Sequence, residues 1–321
     1  MAILVLAEHD GSKIKSKTTA TITAASSLGS DIHLLVLSNE QQSEALVAHA
    51  ARIQNVAHVF YACADYLESG LTENIVAQII AQMERHSYSH VMMSSSYLGK
   101  RVLPYLAGKL GLECVSDCIG AEGDDLFIRP VYASSLLVVE KMIESPKLIS
   151  VRASAFERAG QQVNLAPITQ VPAAPAASSV TRIAINKAEE TFGVAINRAK
   201  VVIGVGRGIT KDEMPLVEKL AATLNAAIGA TRAVVEEGLI SSSAMLGQTG
   251  KIIAPNLYIA IGISGAIQHL AGVKDSKVIV AINDDLQAPI FQVANYGIVG
   301  DARVILPQLI QALKESEGRS Q

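Results

Sequence analysis

One stretch of this chain limits its architecture more than any other. From Ile252 to Val273 it runs for 22 residues without an Asp, Glu, Lys or Arg. Length alone would suit a helix crossing a bilayer, which needs about 20 apolar residues. The contents point elsewhere. Pro255, Asn256, Gly262, Gly265, Gln268, His269 and Gly272 interrupt the stretch. Breakers at those positions divide it into a buried strand, Leu257 to Ile263, a glycine turn, and a short helix from about Ala266. In such a unit the helix start presents unpaired N–H groups, and Gly265 lets a phosphate or a ring edge approach the backbone. Ser264 is placed to cap the helix, with Gln268 and His269 in its first turn beside the same mouth.

The rest of the chain agrees with a parallel sheet. Up to about residue 110, apolar runs (Ile3 to Ala7, Ile32 to Leu37, Val56 to Tyr61, His90 to Met93) alternate with amphipathic segments (Ser16 to Leu28, Ser43 to Ile53, Thr72 to His86). That βα rhythm predicts parallel strands joined by helices. Phe127 to Tyr132, Leu136 to Met142 and Leu148 to Arg152 are shorter runs without helical spacing, which predicts antiparallel strands closing a first domain. Pro167, Pro172 and Pro175 among alanines and serines favour an extended connector, about 166–190. The expected domains are therefore 1–190 and 191–321. The rhythm restarts at Lys200 to Gly204, with a helix over about Lys211 to Asn225, strands at Leu257 to Ile263 and Lys277 to Asn283, and a last helix near Pro307 to Lys314.

Only 18% of the residues are charged, against a usual level of about a quarter. Extensive buried surface follows, in sheets covered on both faces or in a subunit interface. A net charge of -3 gives no electrostatic case for nucleic acid or an anionic membrane. The apolar start at Met1 to Ala7 carries no basic leader, so a cytoplasmic protein is expected. Cys63, Cys114 and Cys118 lack the spacing of a zinc or iron–sulfur site, and no metal is expected.

Several polar positions fall where open α/β sheets bind ligands, at the carboxyl ends of strands. Gly204-Val-Gly-Arg-Gly208 lacks the third glycine of the dinucleotide fingerprint, and its spacing serves a phosphate turn or simply a tight strand–helix turn. Arg207 suits phosphate oxygens. Arg232, in Gly229-Ala-Thr-Arg, serves a ligand or a surface ion pair. His269 forms a set with Gln248, Thr249 and Asn283, and Asp301 adds a carboxylate able to accept from ribose hydroxyls. Ser94 to Gly99, followed by Lys100 and Arg101, reads as an anion site or a capped, solvated helix start. No nucleophile–base pair or catalytic Lys accompanies the set, which speaks against substrate chemistry and against an NAD(P)-dependent dehydrogenase.

The run from Gln248 to Gly272, with Val278 to Asn283 and Ala288 to Gly297, closely resembles the signature of the electron transfer flavoprotein alpha subunit. The resemblance extends back through Gly229 to Val235 and Gly206 to Gly208, and more loosely to Met1. It implies two mainly parallel, doubly wound α/β domains, the second a Rossmann-like FAD-binding domain. It implies a heterodimer with a beta subunit contacting the first domain, and a redox carrier with no substrate chemistry of its own. Electrons would come from dehydrogenases such as acyl-CoA dehydrogenases and pass to a membrane quinone oxidoreductase. A pathway-specific or bifurcating relative would use the same loops. Carried onto this chain, the resemblance assigns FAD to Arg207, to Thr231 and Arg232, and to the loop Leu246, Gly247, Gln248 and Thr249. It adds the turn Ser264, Gly265, Ala266, Ile267, Gln268 and His269, with Asn283 and Asp301 towards the adenosine half. The family usually has Ser at the position of Thr231, and the hydroxyl survives.

Overall fold

The computed structural model describes residues 1–68, 70–132, 134–177, 180–184, 196 and 199–318. The chain divides into two compact units, Met1–Ile185 and Asn186–Gln321. The expected boundary at 190 and the end of the expected connector lie outside the described residues.

The first unit runs β1 (Ala2–Leu6), α1 (Ser16–Ser26), β2 (Ile32–Ser38), α2 (Glu40–Ala50), β3 (His58–Cys63), α3 (Asp65–Glu68), α4 (Thr72–Arg85), β4 (Tyr88–Ser94) and α5 (Gly99–Leu110). It continues through β5 (Cys114–Cys118), β6 (Gly120–Glu122), β7 (Leu126–Val131), β8 (Leu136–Lys141), β9 (Lys147–Val151) and β10 (Ile168–Gln170). Seven strands form a parallel sheet in the order β10-β3-β2-β1-β4-β9-β5. β1 shows why its sequence is unbroken Ala-Ile-Leu-Val-Leu. Ile3 and Val5 join an apolar cluster with Ile22 of α1 and Leu46 of α2, whereas Leu4 and Leu6 join Ile79 of α4 and Leu103 of α5. Alternate residues of a strand face opposite sides, so a sheet covered on both faces needs an apolar residue at every position. Each large side chain so buried contributes about 1.5–3 kcal/mol.

One expectation for this unit needs correction. Leu148 to Arg152 is not antiparallel: β9 lies inside the main sheet, parallel to both β4 and β5. All five of its residues are buried, and burial on both faces admits a short apolar strand that a pattern alone cannot orient. The other two runs do pair antiparallel, as β7 with β8, in a separate three-stranded sheet with β6. The described part of the connector is held along the first unit. Ile168–Gln170 adds β10 to the edge at β3, where Pro167 at the entry leaves the ladder intact. The chain then runs beside α4: Gln78 donates to the Pro172 carbonyl at 3.2 Å and accepts from the Ala174 amide at 2.7 Å, and Asn74 accepts from the Ala177 amide at 2.8 Å.

The second unit contains β11 (Val201–Val205), α6 (Met214–Leu224), β12 (Ala227–Ala230), α7 (Arg232–Glu236), β13 (Leu257–Ile261), α8 (Ile267–Leu270), β14 (Val278–Asn283), β15 (Tyr296–Val299) and α9 (Ala302–Gly318). Its five strands are all parallel, in the order β12-β11-β13-β14-β15. The 3-10 turn Lys211–Glu213 that leads into α6 opens on a capping box between Thr210 and Glu213, the Thr210 amide donating to the Glu213 carboxylate at 2.6 Å. α9 begins five residues before the expected start, with Pro307 inside the helix rather than at its head. Among the described residues no helix is long and apolar enough to cross a membrane.

Candidate functional site

In both sheets, consecutive strands are laid to one side of the first strand and then to the other. The reversal opens a crevice at the carboxyl ends of the two strands that flank it, the usual place for a ligand in an open α/β sheet. In the first unit the flanking strands are β1 and β4; in the second they are β11 and β13.

The first crevice is filled by the chain itself. Glu8, just past β1 and only 6% exposed, accepts from Ser94 Oγ and Ser96 Oγ, each at 2.5 Å. Its other carboxylate oxygen lies 2.6 Å from Lys17 Nζ. Ser96 Oγ also accepts from the Gly99 amide at 3.1 Å, and the Glu8 amide donates to Thr18 Oγ1 at 2.9 Å. Ser96 therefore accepts from the first amide of α5, and Ser94 and Ser96 together hold a carboxylate of their own chain.

The second crevice draws together segments far apart in sequence. The loop after β11 meets the loop after β13, where the Gly208 amide donates to the Gly262 carbonyl at 3.1 Å. Thr231 follows β12, its amide donating to the Val205 carbonyl at 3.0 Å. Leu246 bonds back to Ala230 at 2.8 Å, and the Gln248 amide reaches the Gln268 carbonyl at 2.7 Å. Those bonds bring the Leu246–Thr249 loop against α8. The Ile290 amide bonds the Ser264 carbonyl at 3.0 Å, and Asn283 donates through Nδ2 to the Ile263 carbonyl at 2.9 Å while accepting from the Asp285 amide at 3.0 Å. Asn283 is buried and braces this turn. Asp301 follows β15, at the sheet's outer edge, and its carboxylate is held by Arg303 at 2.6 Å; those bonds lower its pKa.

One expected role changes. Ser264 does not cap α8: the helix begins at Ile267, and Ala266, two residues past Ser264, occupies the N-cap and makes no side-chain cap bond. Gly265 takes φ +88°, and a Cβ there would lie 2.3 Å from the Ile290 nitrogen. Glycine is required by the neighbouring backbone, whatever approaches from the other side. Arg232 is exposed and paired with Glu236 at 2.7 Å across one helical turn.

Against these fixed groups stands a set that the fold leaves uncommitted. The exposed side chains of Arg207, Gln248, Thr249, Ser264 and Gln268 have no hydrogen-bond partner among the described residues. The amides of Gly265, Ala266, Ile267 and Gln268 likewise donate to no carbonyl among them. A cation, two hydroxyls, two amide groups and a run of free N–H donors at one crevice match a ligand carrying phosphates and a ring edged with acceptors. His269, by contrast, is buried. Its Nε2 lies 2.8 Å from the Tyr258 hydroxyl, and burial lowers its pKa to about 4.

Comparison with known proteins identifies the ligand this donor set suits. The profile of the electron transfer flavoprotein FAD-binding domain matches residues 195–274, across both loops of the crevice, and that of the electron transfer flavoprotein domain matches residues 3–176. The chain belongs to the electron transfer flavoprotein alpha-subunit family. It is 40% identical to the electron transfer flavoprotein subunit alpha of Pseudomonas aeruginosa, over 98% of this chain and 100% of that one. It is 38% identical to the mitochondrial subunit alpha of Arabidopsis thaliana, over 99% of this chain and 91% of the relative. The cofactor of this family's second domain is FAD, and the uncommitted groups at the second crevice fit it. Tyr258 escaped the sequence reading because it sits in an apolar strand; its signal was a lone phenol among aliphatic neighbours in Leu257 to Ile261.

Proposed function

We propose that this chain is the FAD-carrying half of a heterodimeric electron carrier, accepting electrons from dehydrogenases and passing them to a quinone oxidoreductase, with no substrate chemistry of its own. The observation that carries the reading is the contrast at the second crevice between well-braced loops and uncommitted donors facing outwards. FAD, when bound, supplies the electron-transfer chemistry, and the chain has only to hold it and tune it. Arg207 and the free amides of Gly265 to Gln268 suit phosphate oxygens. Thr231, Gln248, Thr249 and Ser264 offer donors to ring and ribityl groups. The side chain of Arg232 offers positive charge where a reduced ring gains negative charge. Leu246 and Gly247 shape the loop, and Asn283 and Asp301 lie on the side assigned to the adenosine half.

Within this reading the first unit takes the partner, a beta subunit. β8 supports that role. Leu136, Leu137 and Val139 are each more than half exposed, and among the described residues β8 pairs on one side alone, with β7. An apolar strand with a free edge is a surface that proteins cover. A cytoplasmic location suits the reading.

The deciding experiment is an absorbance spectrum of the chain co-purified with its partner, followed through stepwise reduction. A yellow complex that bleaches reversibly and releases FAD on denaturation is expected. A colourless complex that cannot be loaded with FAD but binds a nicotinamide cofactor would overturn the proposal.

A further inference from the structure

Tyr258 presents a hydroxyl that packing alone does not require. It is the second residue of β13, is fully buried, and pairs in register with Val202 of the neighbouring β11. Its ring passes over Gly204 of β11 so closely that a Cβ there would fall 1.8 Å from the phenolic oxygen and 2.5 Å from the carbon bearing it. Glycine inside a central strand weakens it by about 0.5–1 kcal/mol relative to alanine. The second sheet thus accepts a weaker strand to make room for a phenol whose hydroxyl, with no partner, would carry a desolvation penalty. Phenylalanine would fill most of the same space without that penalty.

The hydroxyl has one partner, His269 Nε2 at 2.8 Å. A buried O–H must donate. The histidine nitrogen can accept only if it carries no proton, so the ring proton belongs on Nδ1. The other side of the ring agrees. Nδ1 makes no hydrogen bond among the described residues, and the one group opposing the effect of burial on this ring is the Leu246 backbone. A backbone group that favours the protonated form does so through its carbonyl, which accepts and cannot donate. The groups acting on His269 are therefore the Tyr258 hydroxyl from β13 and the Leu246 carbonyl from the loop that meets α8; no charged side chain is among the causes of its shift. A proton added to Nε2 would strand the Tyr258 O–H without an acceptor.

We propose that Tyr258 is a positioning residue that holds His269 as the neutral Nδ1–H tautomer, so that this histidine serves the FAD site as an uncharged donor and leaves positive charge to the arginines. The cofactor half of the proposal rests on the FAD reading above; the tautomer half does not. It also accounts for Gly204 at a strand position where a larger residue would otherwise pack.

The test is nitrogen NMR of ring-labelled histidine in the intact complex, wild type and Tyr258→Phe, across pH 4 to 8, with FAD content measured on the same samples. Wild type should show protonated Nδ1, bare Nε2, and no titration of His269 above about pH 5. Tyr258→Phe should lose the single tautomer and titrate about one pH unit higher, since a neutral hydrogen bond to the uncharged form is worth about 1 kcal/mol. The midpoint potential of its FAD should then gain, between about pH 4 and 6, a pH dependence beyond that of the wild type. A protonated Nε2 or an imidazolium in wild type at pH 7 overturns the proposal without reference to the variant. An unchanged tautomer and titration in a folded, yellow Tyr258→Phe complex overturns the positioning role and leaves the FAD reading standing. A colourless wild type with the Nδ1–H tautomer overturns the cofactor half alone.

Discussion

The two crevices of this chain begin from the same topology and end in opposite states. Beside β1 and β4, the buried Glu8 carboxylate is matched within the chain, by two serine hydroxyls and a lysine. Beside β11 and β13, the bracing is done by backbone and by Asn283, and Arg207, Gln248, Thr249, Ser264 and Gln268 are left over. A parallel sheet makes a crevice wherever its strand order reverses. Whether it becomes a binding site depends on how its polar groups are matched. Internal partners turn it into a stabilising core, and their absence leaves it able to exchange water for a ligand.

The largest test of that contrast is Gly265→Ala. Positive φ and a backbone nitrogen 2.3 Å from the new Cβ leave no adjustment short of moving the turn, so about 3 kcal/mol or more should be lost. Hydrogen exchange should place the loss in β13 and β14, and FAD should not be retained. Glu8→Ala attacks the other crevice. It strands Lys17, which is one-third exposed, and leaves two serines without their acceptor, for about 2–3 kcal/mol after allowing for solvent at the lysine. Urea unfolding should record that loss while FAD content stays at the wild-type level. A drop in FAD content matching that of Gly265→Ala would break the division of roles between the crevices.

Acid should act on the second unit through His269. Its folded pKa is about 4, below the ordinary 6.5, so the folded state prefers the neutral ring. The stability this gives is complete above pH 6.5 and declines as pH falls towards 4, by on the order of 2–3 kcal/mol. Buried His90 in the first unit is shifted in the same direction, so the share belonging to His269 is read by difference: His269→Gln should flatten the slope between pH 6.5 and 4. An equal slope in the variant would place the acid sensitivity elsewhere.

Those tests bear unequally on what the chain reveals before it is folded. Parallel sheets are legible because strands buried on both faces read as unbroken apolar runs, as in Ile3 to Leu6 and Leu257 to Ile261. β9 has the same character, but five residues carry no mark of direction, and its neighbours in sequence are antiparallel. β5, Cys114 to Cys118, hides because Ser116 and Asp117 interrupt it, Asp117 being held by Arg152 in the folded unit. The glycines and polar residues of the cofactor loops stand out in the sequence, whereas their division into braced and uncommitted groups does not. Asn283 and Ser264 look alike as polar residues at strand ends. Only the fold assigns one to the Ile263 carbonyl and leaves the other without a partner.

Arg207→Ala is the direct counterpart of Glu8→Ala. An exposed guanidinium without an internal partner should contribute almost nothing to folding, so the unfolding midpoint should stay within about 0.5 kcal/mol of wild type. Loss of a charge-assisted contact to phosphate should weaken FAD retention by about 1.5–3 kcal/mol, roughly ten- to a hundredfold. Equilibrium dialysis of FAD against the variant complex measures this. Unchanged affinity would remove Arg207 from the site.

Arg232 gives the smallest effect on folding and the sharpest separation of the two kinds of role. Its pair with Glu236 joins two side chains that are both more than 60% exposed, and an exposed pair one helical turn apart is worth about 0.3–0.5 kcal/mol. Arg232→Ala should therefore pass unnoticed in unfolding. It should appear in the midpoint potential of bound FAD, because a cation stabilises the negative charge gained on reduction. At about 1 kcal/mol the drop would be roughly 40 mV for one electron. Glu236→Gln frees the guanidinium from its neighbour and should move the potential the other way. If neither substitution changes the potential of a folded, FAD-loaded complex, Arg232 is a surface residue bound to its helix, and the charge near the ring must come from Arg207.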